Sequence, residues 1–242
     1  MITKAQQKLI RSLEQKKYRE REGLFVAEGP KVVGDLLEAG FEAVMTFRTP
    51  DDITEEELQR ISFLQHPQEV LAVMEIPETA RQPLSEADAA LPSSKLCLAL
   101  DGVQDPGNVG TILRIADWFG IDTIFCSPDT ADVYAPKVVQ ATMGSLAHVK
   151  FIYTDLIALL QGADYPVYGT LLDGQDIYDE ELSTNGIIVM GNEGNGISQE
   201  VRQLVSHRLL IPNYHTDSHT AESLNVAIAT AITCAEFRRR TR

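Results

Sequence analysis

The sequence predicts an α/β protein in which a small α/β module precedes a mostly parallel sheet covered by helices. Three observations carry this. From Lys95 onward, short apolar runs alternate with segments of helical period, as in parallel strands covered on both faces. Upstream, Pro77, Pro83 and Pro92 sit among Ser, Asp and Glu, which marks a linker over 79–94 between residues 1–78 and 95–242. Apolar residues make up 44% of the 242, enough to bury a core.

The elements follow in order. Thr3 caps a helix to about Gln15, with Ile2, Gln6, Leu9, Ile10 and Leu13 near helical spacing. Leu24 to Gly29 is a short strand ending in a turn, and Val32, Val33, Leu36 and Leu37 mark a helix closed by Gly40. Ala43 to Phe47 reads as a strand, Glu55 to Leu64 as a helix and Val70 to Ile76 as a strand. Beyond the linker, strands are expected near 96–101, 122–126, 149–153, 166–171, 186–191 and 207–211. Helices are expected near 108–119, 136–144, 154–162, 198–205 and 221–238.

No apolar run reaches the length of a membrane span, and residues 1–8 have no apolar signal core. Cys97, Cys126 and Cys234 are scattered without metal-ligand spacing. The expectation is a reduced, cytoplasmic protein with no membrane partner and no metal. His215 to His219 holds two His and Asp217 in an expected loop, but no further Cys or His accompanies them. Net charge is −14, yet residues 1–31 carry +4 and residues 236–242 carry +3. Basic patches on an acidic body can grip phosphate, because the contact is local. Charge alone favours the plainer reading of Lys4, Lys8, Arg11, Lys16 and Lys17 as a solvated helix face.

Three motifs carry the chemistry, each leaving an apolar strand for a turn rich in Gly, Pro or Asn, where α/β proteins place ligands. The first is Asp105-Pro106-Gly107-Asn108-Val109-Gly110 with Arg114; Gly107 permits close backbone approach at a helix start. Arg114, among Ile112, Leu113, Ile115 and Ala116, reads on spacing as a snorkelling or ion-paired side chain, or else as a phosphate grip. The second is Gly191-Asn192-Glu193-Gly194-Asn195-Gly196, whose glycine order differs from the dinucleotide fingerprint. The third is Ile211-Pro212 followed by Ser223-Leu224-Asn225-Val226, in which Ser223 reads as the cap of the last helix.

Together these motifs resemble the SpoU (TrmH-like) branch of the SPOUT RNA methyltransferases, over residues 95–242. That family carries D-P-x-N-x-G-x-x-x-R, then G-x-E-x-x-G, then I-P and S-L-N-V. Residues 1–78 resemble, less closely, its ribosomal-protein-like RNA-binding module. The resemblance implies a C-terminal deep trefoil knot, S-adenosylmethionine as cofactor, a homodimer through the C-terminal domain, and 2′-O-methylation of ribose in structured RNA, rRNA or tRNA. It implies catalytic roles for Arg114, Asn108, Glu193, Ser223 and Asn225, with the other four fixing Arg114 and the ribose. Gly191, Gly194, Gly196, Ile211 and Leu224 would hold the cofactor. One departure is the ten residues Asn213 to Glu222, without Met or Gly, where the family has a shorter segment. The alternatives are a catalytically silent RNA-binding paralogue and a nucleotide-binding α/β oxidoreductase.

Overall fold

The computed structural model describes residues 1–214 and 223–240. In chain order the elements begin α1 (Lys4–Ser12), α2 (Lys16–Glu22), β1 (Leu24–Glu28), α3 (Pro30–Glu38), β2 (Ala43–Arg48), α4 (Glu55–Ile61) and β3 (Val70–Glu75). They continue with α5 (Glu86–Ala89), β4 (Leu96–Asp101), α6 (Pro106–Trp118), β5 (Thr123–Cys126), α7 (Pro136–Thr142), β6 (Lys150–Tyr153) and α8 (Leu156–Leu160). The last are β7 (Val167–Asp176), β8 (Gly186–Gly191), α9 (Gln199–Arg202), β9 (His207–Leu210) and α10 (Val226–Arg240). They form two compact units, one of residues 1–81 with 132–148 and one of 82–131 with 149–242.

The first unit holds an antiparallel sheet in the order β1-β3-β2. Capping boxes start two of its helices: Thr3 with Gln6 at α1 and Thr54 with Glu57 at α4. Ile10, Leu13, Val26, Phe47, Leu58, Ile61, Leu71 and Val73 form its core. The helix expected over residues 3–15 ends at Ser12, and α2 follows as a second, unexpected one. Its sequence, KKYRERE, has no apolar stripe, and the residue it buries is Arg19, 2% exposed. Arg19 donates to the carbonyls of Leu13 and Glu14 at 2.7 Å each, and its Nε and Nη2 reach Asp132 Oδ2 at 2.9 and 2.5 Å. That ion pair ties the 132–148 segment to this unit. The same segment packs α7 on β1 and sets Tyr134 5.0 Å from Phe25, centroid to centroid. The sequence boundary runs 132–148 together with 95–242 instead.

The second unit is a six-stranded, all-parallel sheet in the order β6-β5-β4-β8-β7-β9. Every residue of β4 and β8 is buried, which is why both read as unbroken apolar runs. Their neighbours lie on opposite sides, β5 beside β4 and β7 beside β8, so the strand order reverses between them. A crevice opens beyond the carboxyl ends of strands at such a switch point. Strand β7 runs five residues past its expected end, and its pairing with β9 shifts between Thr170 and Gln175. The expected linker contains α5 and short 3-10 turns at Glu78–Arg81 and Leu91–Ser93. Helix α10 packs on α6. The loop expected to border the cofactor, Asn213 to Glu222, lies outside the described residues over 215–222, as does the His215 to His219 segment.

Candidate active site

The turns after β8 and β9 meet around a cavity of about 450 Å³ in the second unit, within the size range of small-ligand pockets. Gly191 to Ile197, Leu209 to Ile211, Ser223 and Leu224 line it, together with Thr170 to Asp173 of β7. All five residues expected to hold a cofactor, Gly191, Gly194, Gly196, Ile211 and Leu224, are in this lining, and so are Glu193 and Ser223.

The turn after β8 is built by backbone and by one amide. Asn192 and Gly196 exchange both backbone hydrogen bonds at 2.9 Å. Asn192 Oδ1 accepts the N–H groups of Gly194 and Asn195 at 2.9 and 3.0 Å, and its Nδ2 donates to Gly102 O at 2.7 Å. This Asx turn joins the second motif to the end of β4. Asn192 stood inside the motif but was not among the expected site residues; its signal is an Asn opening a glycine turn. A Cβ on Gly191 would lie 2.2 Å from Gly196 C and from Ile197 N. The first glycine of the motif is therefore required by close backbone approach.

A second network links all three motifs. Asp105 caps α6 by accepting Asn108 N at 2.9 Å. Glu193 Oε1 accepts Asn108 Nδ2 and Asp105 N at 3.0 Å each, and Oε2 accepts Gln104 N at 3.1 Å. Asn108 Oδ1 in turn accepts Asn225 Nδ2 at 2.9 Å. Asn225 Oδ1 accepts Ala227 N and Ile228 N at 2.9 and 3.3 Å, and Asn225 O accepts Ala229 N at 2.9 Å. Asn225 is thus the cap of α10, and the expectation that Ser223 caps it is corrected. Both are good capping residues, and the helix starts two residues later than a Ser223 cap requires.

Arg114 is exposed on α6, about 9 Å along the axis from Asn108. Among the described residues no hydrogen bond or ion pair holds it, and it is not in the cavity lining. The amides and the carboxylate hold one another rather than Arg114. Asp173 and Arg202, also missed, line the cavity, Asp173 because β7 continues past residue 171 and Arg202 from the end of α9. They pair with each other, and Arg208 joins Asp173 at 3.2 Å. Among the described residues of the basic tail, Arg238 donates to Phe119 O and Gly120 O, while Arg239 and Arg240 pair with the buried Glu236. Burial pushes the Cys97 and Cys234 thiols up to about 12, so neither supplies a thiolate nucleophile.

Burial alone would raise the Glu193 carboxyl above its ordinary 4.5, but bonds from Asn108, Asp105, Gln104 and its own N–H outweigh this and hold it lower. A carboxyl lowered by folding stabilises the native state above its unfolded value, and that contribution disappears as pH falls through the lowered one. Wild-type Tm should therefore fall on acidification below about 4.5 more steeply than that of Glu193→Gln. The amide puts an NH₂ group against one of three N–H donors, so any reaction of this site should drop at least about tenfold at neutral pH, the cost of a lost charge-assisted bond. Thermal melts across pH and initial rates check both; parallel Tm curves would show that the carboxylate is not held by these bonds.

The comparisons place this site among known proteins. The model of the SpoU rRNA Methylase family matches residues 95–235, and that of an MRM3-like substrate binding domain matches residues 4–75. The chain is 30% identical to the 23S rRNA (guanosine(2553)-2′-O)-methyltransferase RlmP of Bacillus subtilis, over 92% of this chain and 91% of that one. Among solved structures, it is similar to a TrmH-family protein from Porphyromonas gingivalis, with TM-score 0.85 and 43% identity over 99% of both chains. It is also similar to an AdoMet-bound rRNA methyltransferase from Sinorhizobium meliloti, with TM-score 0.84 and 30% identity over 100% of this chain and 97% of that one.

Proposed function

The chain belongs to the SpoU rRNA methylase family, and on that premise we propose that it transfers a methyl group from S-adenosylmethionine to a ribose 2′-hydroxyl of ribosomal RNA. The observation that carries the reading is the Glu193–Asn108–Asn225 chain of hydrogen bonds, which locks the three motifs together beside the cavity. The residues present fit the cofactor. The cavity has the volume for a nucleoside-sized ligand, and the close approach at Gly191 leaves backbone groups in its wall. Gly191, Gly194, Gly196, Ile211 and Leu224 would hold it. When bound, it supplies an electrophilic methyl group on a sulfonium centre.

The chain's own task is to position the ribose and to manage the proton of a weak nucleophile. Arg114 is read as an anion grip rather than as the base, because a guanidinium offers a fork of donors and no acceptor. It grips the substrate phosphate and stabilises charge developing on the 2′-oxygen. Asn108, Glu193 and Asn225 fix the walls of the site, and Ser223 offers a hydroxyl at the cavity. Residues 1–78 bind RNA, residues 79–94 connect, and residues 95–242 carry the methyl transfer and the trefoil knot. A ribosomal substrate puts the protein in the cytoplasm; among the described residues no helix is long and apolar enough to cross a membrane. The test is to map 2′-O-methyl positions in ribosomal RNA from cells with and without the gene. A map identical in the two sinks the proposal.

The active form is a homodimer through the second unit. Trp118 on α6 is 86% exposed and Ile228 on α10 52%, on two helices that pack together, and a partner subunit would cover them. Val226 and Ala227 face inward, so Ile228 and the half-buried Ile232 are the outward apolar groups of α10. Sedimentation should give a dimer at micromolar concentration, and Trp118→Arg with Ile228→Arg should give a folded monomer. A wild-type monomer would remove this part of the reading.

A further inference from the structure

We propose that the outward stripe of α1, formed by Lys4, Lys8 and Arg11, is the surface on which the first unit holds the phosphate backbone of the RNA. The inference rests on the reading of the chain as an RNA methyltransferase and adds where the RNA docks.

The sequence offers two basic segments, and the structure commits most of their charge elsewhere. Of the described tail arginines, Arg239 and Arg240 pair with Glu236, and Arg238 donates to Phe119 O and Gly120 O. Within residues 1–31, Arg19 is buried on Asp132, Arg21 pairs with Glu22, Lys31 pairs with Asp35 and Lys16 lies 3.9 Å from Glu20. Lys17 and Arg21 also lie against Tyr18, each 4.8 Å from its ring centroid.

Helix α1 differs. It contains Lys4, Lys8 and Arg11 and no acidic residue. All three are exposed, and among the described residues Lys4 and Lys8 have no carboxylate partner. Positions 4, 8 and 11 share one helix face and span about 10.5 Å along the axis at 1.5 Å per residue. Arg11 is oriented before any ligand arrives: its Nη1 donates to Ser62 O at 2.9 Å, and its guanidinium lies 4.9 Å from the Phe63 ring centroid. Glu28, whose carboxylate feels the Arg11 charge, is buried and already bonded to Ser62 Oγ and Phe63 N. Like charges at i, i+4 weaken a helix unless an anion lies between them. A row of three cations, with Arg11 already braced by Ser62 O and the Phe63 ring, matches a phosphate backbone.

The test uses the full chain and unmodified 23S ribosomal RNA made by transcription in vitro. Affinity is titrated at several salt concentrations for wild type, for Lys4→Gln/Lys8→Gln/Arg11→Gln, and for Lys16→Gln/Lys17→Gln/Arg21→Gln. Each lost phosphate contact lowers the slope of log affinity against log salt by about 0.7–0.9, so the α1 variant should lose about 2–3 in slope. It should bind at least about tenfold more weakly near physiological salt, with S-adenosylmethionine affinity unchanged. The α2 variant should lose less than about 1 in slope. All six side chains are exposed or already paired at the surface, and an unchanged Tm in Lys4→Gln/Lys8→Gln guards against a folding artefact. An unchanged slope in the α1 variant, or a larger loss in the α2 variant, overturns the proposal. Wild type that binds RNA but methylates none leaves the docking surface standing and removes the enzymatic reading; wild type that binds no RNA removes both.

Discussion

Arg114→Ala is expected to reduce methyl transfer by at least about 10²–10³-fold, the effect of removing one group that stabilises transition-state charge. Affinity for S-adenosylmethionine should stay within about threefold, since Arg114 is absent from the cavity lining. Folding should be untouched or slightly improved. The side chain is exposed on α6, no described hydrogen bond depends on it, and Ala is the better helix former. On the proposed reading, such an unpaired charge on the helix that carries Asn108 would serve an anion arriving with the substrate. Arg114→Lys should recover little, because a point charge lacks the planar fork that grips a phosphate with two parallel bonds. Single-turnover methyl transfer with labelled cofactor, alongside calorimetric titration of the cofactor, separates the two effects. Loss of cofactor binding in a folded Arg114→Ala protein would show that the residue belongs to the pocket and not to the substrate.

What the sequence made legible follows from where the physics is local. β4 and β8 are buried along their whole length and so appear as apolar runs, and α6 announces itself by Asp105, Pro106 and the turn before them. α2 was invisible because its inward group is a cation, Arg19, whose partner Asp132 lies 113 residues away. For the same reason residues 132–148 read as part of the parallel α/β alternation, although they pack with the first unit. The far half of β7 was missed because Asp173, Gly174 and Gln175 resemble a turn, and with it went Asp173 at the cavity. The turns that line the cavity were legible, since backbone turns demand Gly, Pro and Asn at fixed places. Their bonding was not: nothing in the spacing says that Asn108 spends its two amide ends on Glu193 and Asn225 rather than on Arg114. Nor could local preference rank Ser223 against Asn225 as the cap of α10.

Gly191→Ala is expected to cost both the fold of the pocket and the cofactor. The added Cβ would meet Gly196 C and Ile197 N at 2.2 Å and Gly196 O at 2.6 Å. These are backbone atoms, so no rotamer change relieves the clash. The segment they belong to is held by the paired Asn192 and Gly196 hydrogen bonds and by Asn192 Nδ2 on Gly102 O. The turn must therefore move away from the end of β8 and carry Glu193 off Asn108. Overpacking of this kind costs about 1–3 kcal/mol, and at about 2–4 °C per kcal/mol for a chain near this size Tm should fall by roughly 2–12 °C. S-adenosylmethionine affinity should fall at least about 100-fold if, as proposed, the backbone of this turn holds the cofactor. Gly194→Ala is the control: its Cβ would find only Asn192 Oδ1, at 3.6 Å, an ordinary contact. Tm should then stay within about 2 °C, the small effect usual for a surface substitution, and any loss of cofactor affinity there reports direct approach of the ligand to Gly194. Thermal melts and cofactor titrations on both variants decide the matter. Wild-type Tm and affinity in Gly191→Ala would mean that the turn has room the structure does not show.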